Sequence, residues 1–309
     1  MAFWKQKVLL AKIETVYGTD AAPTGGANAI LAIDVKLSPM EGQDVSRNLD
    51  LPYFGGQKSI PAELYQKLSF KVEMQAAGSL GVAPGWGPLL RACGVAQVVA
   101  AGVSVTYNPI SQAQESATIH LGIDGTRYVM RGSRGNAKFM VDAQGIPYID
   151  FEFSGLFQLA TDVANVAVTL TGFGTPLIAS KTNTPTFTVG GVALVTKSFM
   201  MDMGNQVERR FLINSDSIMI TDRTETVEAR VEAVPLATLN PFSLANNQST
   251  VAIALQHGTV AGSRVALNVT AAQMMRVAGI EQSQNIVEWP LAMTPQPTLG
   301  NDQWTVVCT

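Results

Sequence analysis

The feature that most constrains this chain is that the pattern of its first half returns in its second. Residues 67–75 (KLSFKVEMQ) alternate polar and apolar, and so do residues 224–233 (TETVEARVEA). A short helix-like stretch follows each, PGWGPLLRACG at 84–94 and LNPFSLANN at 239–247. Each copy then runs strand, turn, strand, at 117–131 and 249–269, and closes on another hairpin, at 138–155 and 273–293. Few residues are identical between the copies, so the repeat rests on the order and pattern of its elements. Repeated units bury surface against one another and against copies in other chains.

The chain is long enough, at 309 residues, for two domains of ordinary size, and 47% hydrophobic residues supply full cores. Only 15% of residues are charged, and 27 Gly with 15 Pro punctuate many short apolar runs, which predicts an all-β fold with minor α. A net charge of −3 argues against binding nucleic acid by phosphate neutralisation, while leaving DNA possible as a neighbour that does not stick. No run reaches the ~18 apolar residues of a membrane helix. The stretch VLLA near the N-terminus is broken at once by Lys12, so no export signal is expected. Cys93 and Cys308 are too few for a disulfide framework and are expected to be buried thiols.

The expected organisation is an N-terminal arm over 1–28, a first β domain over 29–170, a linker over 171–191 and a second β domain over 192–309. Within the first, residues 38–66 read as a long Gly/Pro/Asp-rich loop, whose counterpart at 206–223 is shorter and more apolar. A helix is expected at 84–95, with Pro84 and Pro88 in its first turn and Gly94 at its end.

Reactive chemistry is hard to find. His120 and His257 lie in matching strands, with only Asp124 close to the first and no acid near the second. No nucleophile elbow, HExxH, P-loop or dinucleotide fingerprint is present. Glu225, Glu228 and Glu232 sit on an alternating strand, where solvated charges are expected. No enzyme activity, metal or cofactor is therefore expected. The densest basic stretch, Arg127, Arg131, Arg134 and Lys138, suits subunit or DNA contacts, or equally a solvated hairpin tip. Arg209 and Arg210 with Arg223 form a smaller group beside Glu208 and Asp222.

The alternating strands carry more. Lys67, Ser69, Lys71 and Glu73 oppose Leu68, Phe70, Val72 and Met74. In the second copy Thr224, Thr226, Glu228, Arg230 and Glu232 oppose Val227, Ala229, Val231 and Ala233. A one-residue slip would bury the charges, so the register is well specified. The wet face suits an open surface or the wall of a wide channel. A barrel of about eight strands fills itself with side chains, so one chain cannot enclose a wide pore. Six copies of four strands would give about 24 strands and a ring roughly 40–50 Å across.

Three stretches, ETVYGTDAAPTGGANAI (14–30), AAGSLGVAPGWGPLLRACGV (76–95) and MDMGNQVERRFLINSDSIMITDR (201–223), resemble the tail tube (major tail) proteins of long, flexible-tailed bacteriophages. With the matching element order, the resemblance spans nearly the whole chain. It implies two packed antiparallel sheets with a flanking helix, assembled as stacked rings into a hollow tube. It implies that the 38–66 loop and the 1–28 arm touch neighbouring subunits or the adjacent ring. Many family members carry one tube domain and form hexameric rings. Two tube-like halves here imply trimeric, pseudo-sixfold rings, with hexamers as the alternative. The implied partners are further copies of the chain, a tape measure protein, and tail terminator and distal tail proteins. DNA is passing cargo and no membrane is involved. The implied location is the virion tail, assembled in the bacterial cytoplasm. On this reading Glu73, Lys71, Glu228, Arg230 and Glu232 are expected to face the lumen. Tyr17, Asp20, Tyr53, Phe54, Arg127, Arg131, Arg134, Arg209 and Arg210 are expected between subunits. The alternatives are a distal-tail or adaptor ring and a two-domain β-sandwich binding module for glycans or proteins.

Overall fold

In the computed structural model, which describes residues 3–170 and 172–309, the chain is almost entirely antiparallel β-structure. The first half contains β1 (Lys7–Ile13), β2 (Ala29–Ile30), β3 (Ala32–Ser46), β4 (Ser59–Glu73), α1 (Gly87–Arg91), β5 (Val95–Ala100), β6 (Ser104–Pro109), β7 (Ala117–Ile123), β8 (Thr126–Asp142), β9 (Tyr148–Leu156) and β10 (Thr161–Asp162). The second contains β11 (Thr186–Val189), β12 (Val192–Ala193), β13 (Thr196–Asp202), β14 (Asn205–Leu212), β15 (Ser215–Arg223), β16 (Thr226–Glu232), α2 (Pro241–Asn246), β17 (Thr250–His257), β18 (Val265–Met274), β19 (Glu281–Ser283), β20 (Ile286–Pro295) and β21 (Trp304–Cys308).

The strand pairings repeat. In the first half the order is β2-β1-β7-β8-β9-β4-β3. In the second it is β12-β11-β17-β18-β20-β16-β13, position for position the same. The halves differ by the β5–β6 hairpin, present only after α1, and by β21, which pairs with both β6 and β18.

The halves meet edge to edge. The long β8 gives its first part to β7, and its last residues to β13, from Lys138↔Asp202 to Asp142↔Ser198. One wall therefore runs β3-β4-β9-β8-β13-β16-β20, ending on the last residues of β18. Strict alternation decides its inner surface. Phe70, Phe151, Phe153, Phe139, Phe199, Val231 and Leu291 are all fully or nearly fully buried, with Phe70 stacked on Phe153 at 6.0 Å between ring centroids. Each such side chain contributes about 2–3 kcal/mol by leaving water. Both halves feed one continuous core, and Phe139 of the first packs edge-on against Trp304 of the second.

Several expectations need correction. Residues 38–66 are mostly ladder: β3 and β4 form a long hairpin, with cross-strand pairs reaching Ser46↔Ser59. The three register shifts along β3 show why it looked irregular, since bulges break the alternation a reader follows. The 206–223 segment is likewise a hairpin, β14–β15, in a sheet of its own. At its base Gly204 (φ +62°) has its amide on the Asp202 carboxylate, and an added Cβ would lie 1.8 Å from the Thr224 carbonyl oxygen. The 1–28 arm contains β1, whose Leu9, Leu10 and Ala11 are core residues, and the expected linker contains β11, paired to β17. The expected 84–95 helix shrinks to Gly87–Arg91, because 95–100 is claimed by β5.

Candidate functional site

Residues directly opposite one another in a ladder share a face. Following that rule across the seam, Glu73 lies in a row with Tyr148, Met140, Met200, Glu228 and Ala292. The adjacent row runs Lys71, Asp150, Lys138, Asp202, Thr226. Lys71, Glu73, Glu228, Arg230 and Glu232, read from two separate strands, thus stand on one surface of one wall. Sequence alternation could not reveal that they share it, because only the β8–β13 seam sets their relative parity.

That face is predominantly acidic. Asp34, Glu73, Asp142, Asp150, Glu152, Asp202, Glu228, Glu232, Glu281 and Glu288 stand against Lys36, Lys67, Lys71, Lys138, Lys197 and Arg230. The cations bridge strands. Lys71 lies 3.4 Å from Asp34, Lys138 lies 3.0 Å from Asp202 across the seam, and Arg230 joins Glu281 (2.7 Å) and Glu288. The exposed Lys71–Asp34 pair adds roughly 0–1 kcal/mol, whereas Lys138 and Arg230 each meet a carboxylate that is largely covered. An open depression of about 270 Å³ lies over Lys36, Lys71, Asn136, Lys138, Asp150 and Glu152.

The carboxylates differ in setting. Burial raises the pKa of Glu73 from its ordinary value. Burial also raises Asp150, against the pull of Lys71 and Lys138. For Asp202 burial works upward too, but hydrogen bonds from Asn136 and the Gly204 amide, together with Lys138, leave it below its ordinary value. Asp202 is thus the charged pin of the seam, with Asn136 Nδ2 donating at 2.7 Å. Neither Asp202 nor Asn136 carried any signal in the sequence.

The residues expected between subunits divide in two. Tyr53, Phe54 and Arg210 are exposed, Phe54 completely so (108%). Tyr17, Asp20, Arg134 and Arg209 are engaged within the chain. The Tyr17 hydroxyl accepts from the Ile218 amide at 2.6 Å and its ring underlies Arg134. Arg134 donates to the carbonyls of Ile218, Gln114 and Glu115. Arg209 forks onto Asp216 at 2.8 and 2.6 Å, and Asp20 binds the His120 ring at 3.1 Å. Arg127 and Arg131 each bury an Nε without a partner among the described residues. The Arg127–Lys138 stretch is therefore no solvated hairpin tip, but most of the length of β8.

Both histidines are buried, and the partner of His120 is Asp20 from the arm, not the nearby Asp124; His257 Nδ1 faces the Thr184 hydroxyl at 2.9 Å. Burial lowers the pKa of each, with Asp20 opposing at His120. The unfolded chain then binds more protons as pH falls through about 6.5, so their contribution is complete above that pH and is lost below it. The melting temperature should fall between pH 7 and pH 5, and H120Q/H257Q should flatten that slope, as differential scanning fluorimetry would read. Equal slopes in both proteins would count against this assignment.

Among the described residues no three His, Cys, Asp or Glu side chains group as metal ligands, and no helix is long and apolar enough to cross a membrane. Cys93 and Cys308 are free and buried, and burial pushes the Cys308 thiol up to about 12. No protein-family model matches the chain, and no curated protein matches it.

Proposed function

We propose that the protein is a structural subunit of a bacteriophage tail tube, polymerising as stacked rings into a hollow conduit for genome passage. The observation that carries this reading is the β8–β13 seam, where two halves of one strand order join edge to edge into a single wall. The wall ends on two edges of the same kinds. Its β3 edge occupies the position that β13 has in the second half, and the 275–283 edge occupies the position of the β8 end. Neither edge has a partner strand among the described residues. Unpaired edges invite strand addition.

Repeating the seam between chains closes a ring. Three chains then supply six half-walls of four strands, about 24 strands and a bore roughly 40–50 Å across between backbones. The acidic face lines that bore and repels DNA phosphates, so cargo slides without being held. Tape measure, terminator and distal tail proteins are the partners this role calls for, and the virion tail is its place. No reaction and no cofactor belongs to the role.

Negative-stain electron microscopy of the purified chain tests it, with the mass of one ring separating trimer from hexamer. Hollow tubes with sixfold-like end views are the expected result. Closed rings that never stack would favour a distal-tail adaptor. A chain that stays monomeric at high concentration, even beside tail initiator proteins, would overturn the conduit.

A further inference from the structure

The second half holds a cavity between two of its ladders. Phe187 on β11 stands opposite Leu255 on β17, and Val141 on β8 stands opposite Phe199 on β13. The two ladders touch where Phe187 meets Phe199 edge-on, at 5.7 Å between ring centroids. Beside that contact lies an open cavity of about 510 Å³, within the roughly 300–1,000 Å³ of small-molecule sites. Backbone bonds fix its walls. The Ala179 amide donates to the Gly145 carbonyl at 2.8 Å, the Gln144 amide to the Ala179 carbonyl at 2.9 Å, and the Leu194 amide to the Phe187 carbonyl at 3.1 Å. The cavity is therefore preformed, which keeps the ordering cost of binding low.

Its lining divides by chemistry. Val141, Ala179, Phe187, Leu194, Phe199 and Leu255 are buried and apolar, while Lys181, Pro185, Val195 and Lys197 are exposed at the rim. The three hydroxyls in the lining already have partners. Ser180 accepts from the Asn183 amide at 3.2 Å, Thr184 pairs with His257 Nδ1 at 2.9 Å, and Thr196 donates to the Leu194 carbonyl at 3.4 Å. Charge is confined to the rim and is all positive: no Asp or Glu lines the cavity, in a chain whose net charge is −3. Lys197 donates to Ser283 at 3.2 Å and lies 3.7 Å from Glu288, so its ammonium is engaged. Lys181 enters no ion pair among the described residues.

We propose that this cavity binds a single-chain amphipathic anion, its apolar chain against Phe187, Phe199 and Leu255 and its charged head on the Lys181 ammonium. An apolar floor with satisfied hydroxyls favours a body without polar groups, since a polar one would lose water and find no partner there. The free ammonium at the rim favours a negative head and opposes a positive one. A carboxylate and a phosphate monoester both meet that requirement, because lysine acts as a compact point charge and does not read the shape of the head. The cavity lies within one copy of the chain, with Val141 supplied across the seam by β8, so binding needs no ring and stands apart from the tube reading.

Isothermal titration calorimetry on the full chain tests this with four probes of one chain length: decanoate, decyl phosphate, decanol and decyltrimethylammonium. At least one of the two anions should bind saturably, one per chain, and the tighter of them identifies the head. Decanol should bind at least tenfold more weakly than that anion, and the cation more weakly still. K181E and V195E alter exposed rim residues, so both should melt like the wild type and bind the anion at least tenfold more weakly. K58E makes the same charge change at an exposed residue outside the cavity lining and should bind as the wild type does. Decanol binding as tightly as the anions would mean a plain apolar hole, suited to a side chain of a neighbouring copy, and would overturn the anion site. Saturable binding by neither anion, or anion binding unchanged in K181E and V195E, would overturn it as well.

Discussion

Replacing Ala278 by proline should leave the chain folded and stop it from closing rings. Residues 276–280 follow β18 along the free edge, and none of their amides donates a hydrogen bond among the described residues. Ala278 is exposed, so losing its N–H removes nothing the monomer uses. An incoming strand would use it. Proline deletes that donor and sets a ring against the partner backbone, which is why edges carrying proline resist pairing. Losing two or three ladder bonds at about 1 kcal/mol each amounts to roughly a hundredfold in association. Sedimentation velocity should show the assembly threshold rising by about that factor, with the melting temperature within about 2 °C of wild type. Rings at unchanged threshold would mean that this edge does not pair. The intrachain seam provides the control. Met140 faces Met200 across it, so M140C/M200C is expected to form a disulfide within one chain, undisturbed by the buried native thiols.

Glu14→Ala should destabilise the chain by several kcal/mol. The Glu14 carboxylate is buried (8% exposed) and accepts from the Ser116 and Thr118 hydroxyls at 2.6 and 2.8 Å. It also accepts from the amides of Gly132 and Gly18, at 2.7 and 2.8 Å. These bonds fasten the segment after β1 to β7 and to the middle of β8. Alanine would strand four donors, two of them backbone, in a buried site. Buried polar groups left unpaired cost about 1–3 kcal/mol each before relaxation, so a net loss of about 3–5 kcal/mol is expected. Chemical denaturation would read it as a lower midpoint. A loss below about 1 kcal/mol would show that water reaches the site. Glutamine keeps one acceptor oxygen and should recover part of the loss.

The resemblance at 14–30 and 76–95 drew attention to segments whose importance is now physical. Glu14, Tyr17 and Asp20 all anchor the chain to β7, β8 or β15. Trp86, at the entry to α1, is completely buried and donates its indole N–H to the Gln75 carbonyl at 2.8 Å.

By itself the sequence determined the strands, their faces and the repetition of the plan. Alternation such as KLSFKVE fixes which side chains are buried whatever the partner strand, because the pleat has a period of two residues. It marked Tyr53 and Phe54 only through the resemblance, inside a stretch that reads as a loop and folds as the β3–β4 hairpin. Only the tertiary structure decided which strand lies beside which. That choice depends on contacts between residues far apart in sequence, such as Lys138 with Asp202 and Phe139 with Trp304. Pairing β8 with β13 turned two wet faces into one acidic wall. Tertiary contacts elsewhere bind Tyr17 and Arg134 to β15, Asp20 to His120 on β7, and Arg209 to Asp216 on the neighbouring strand.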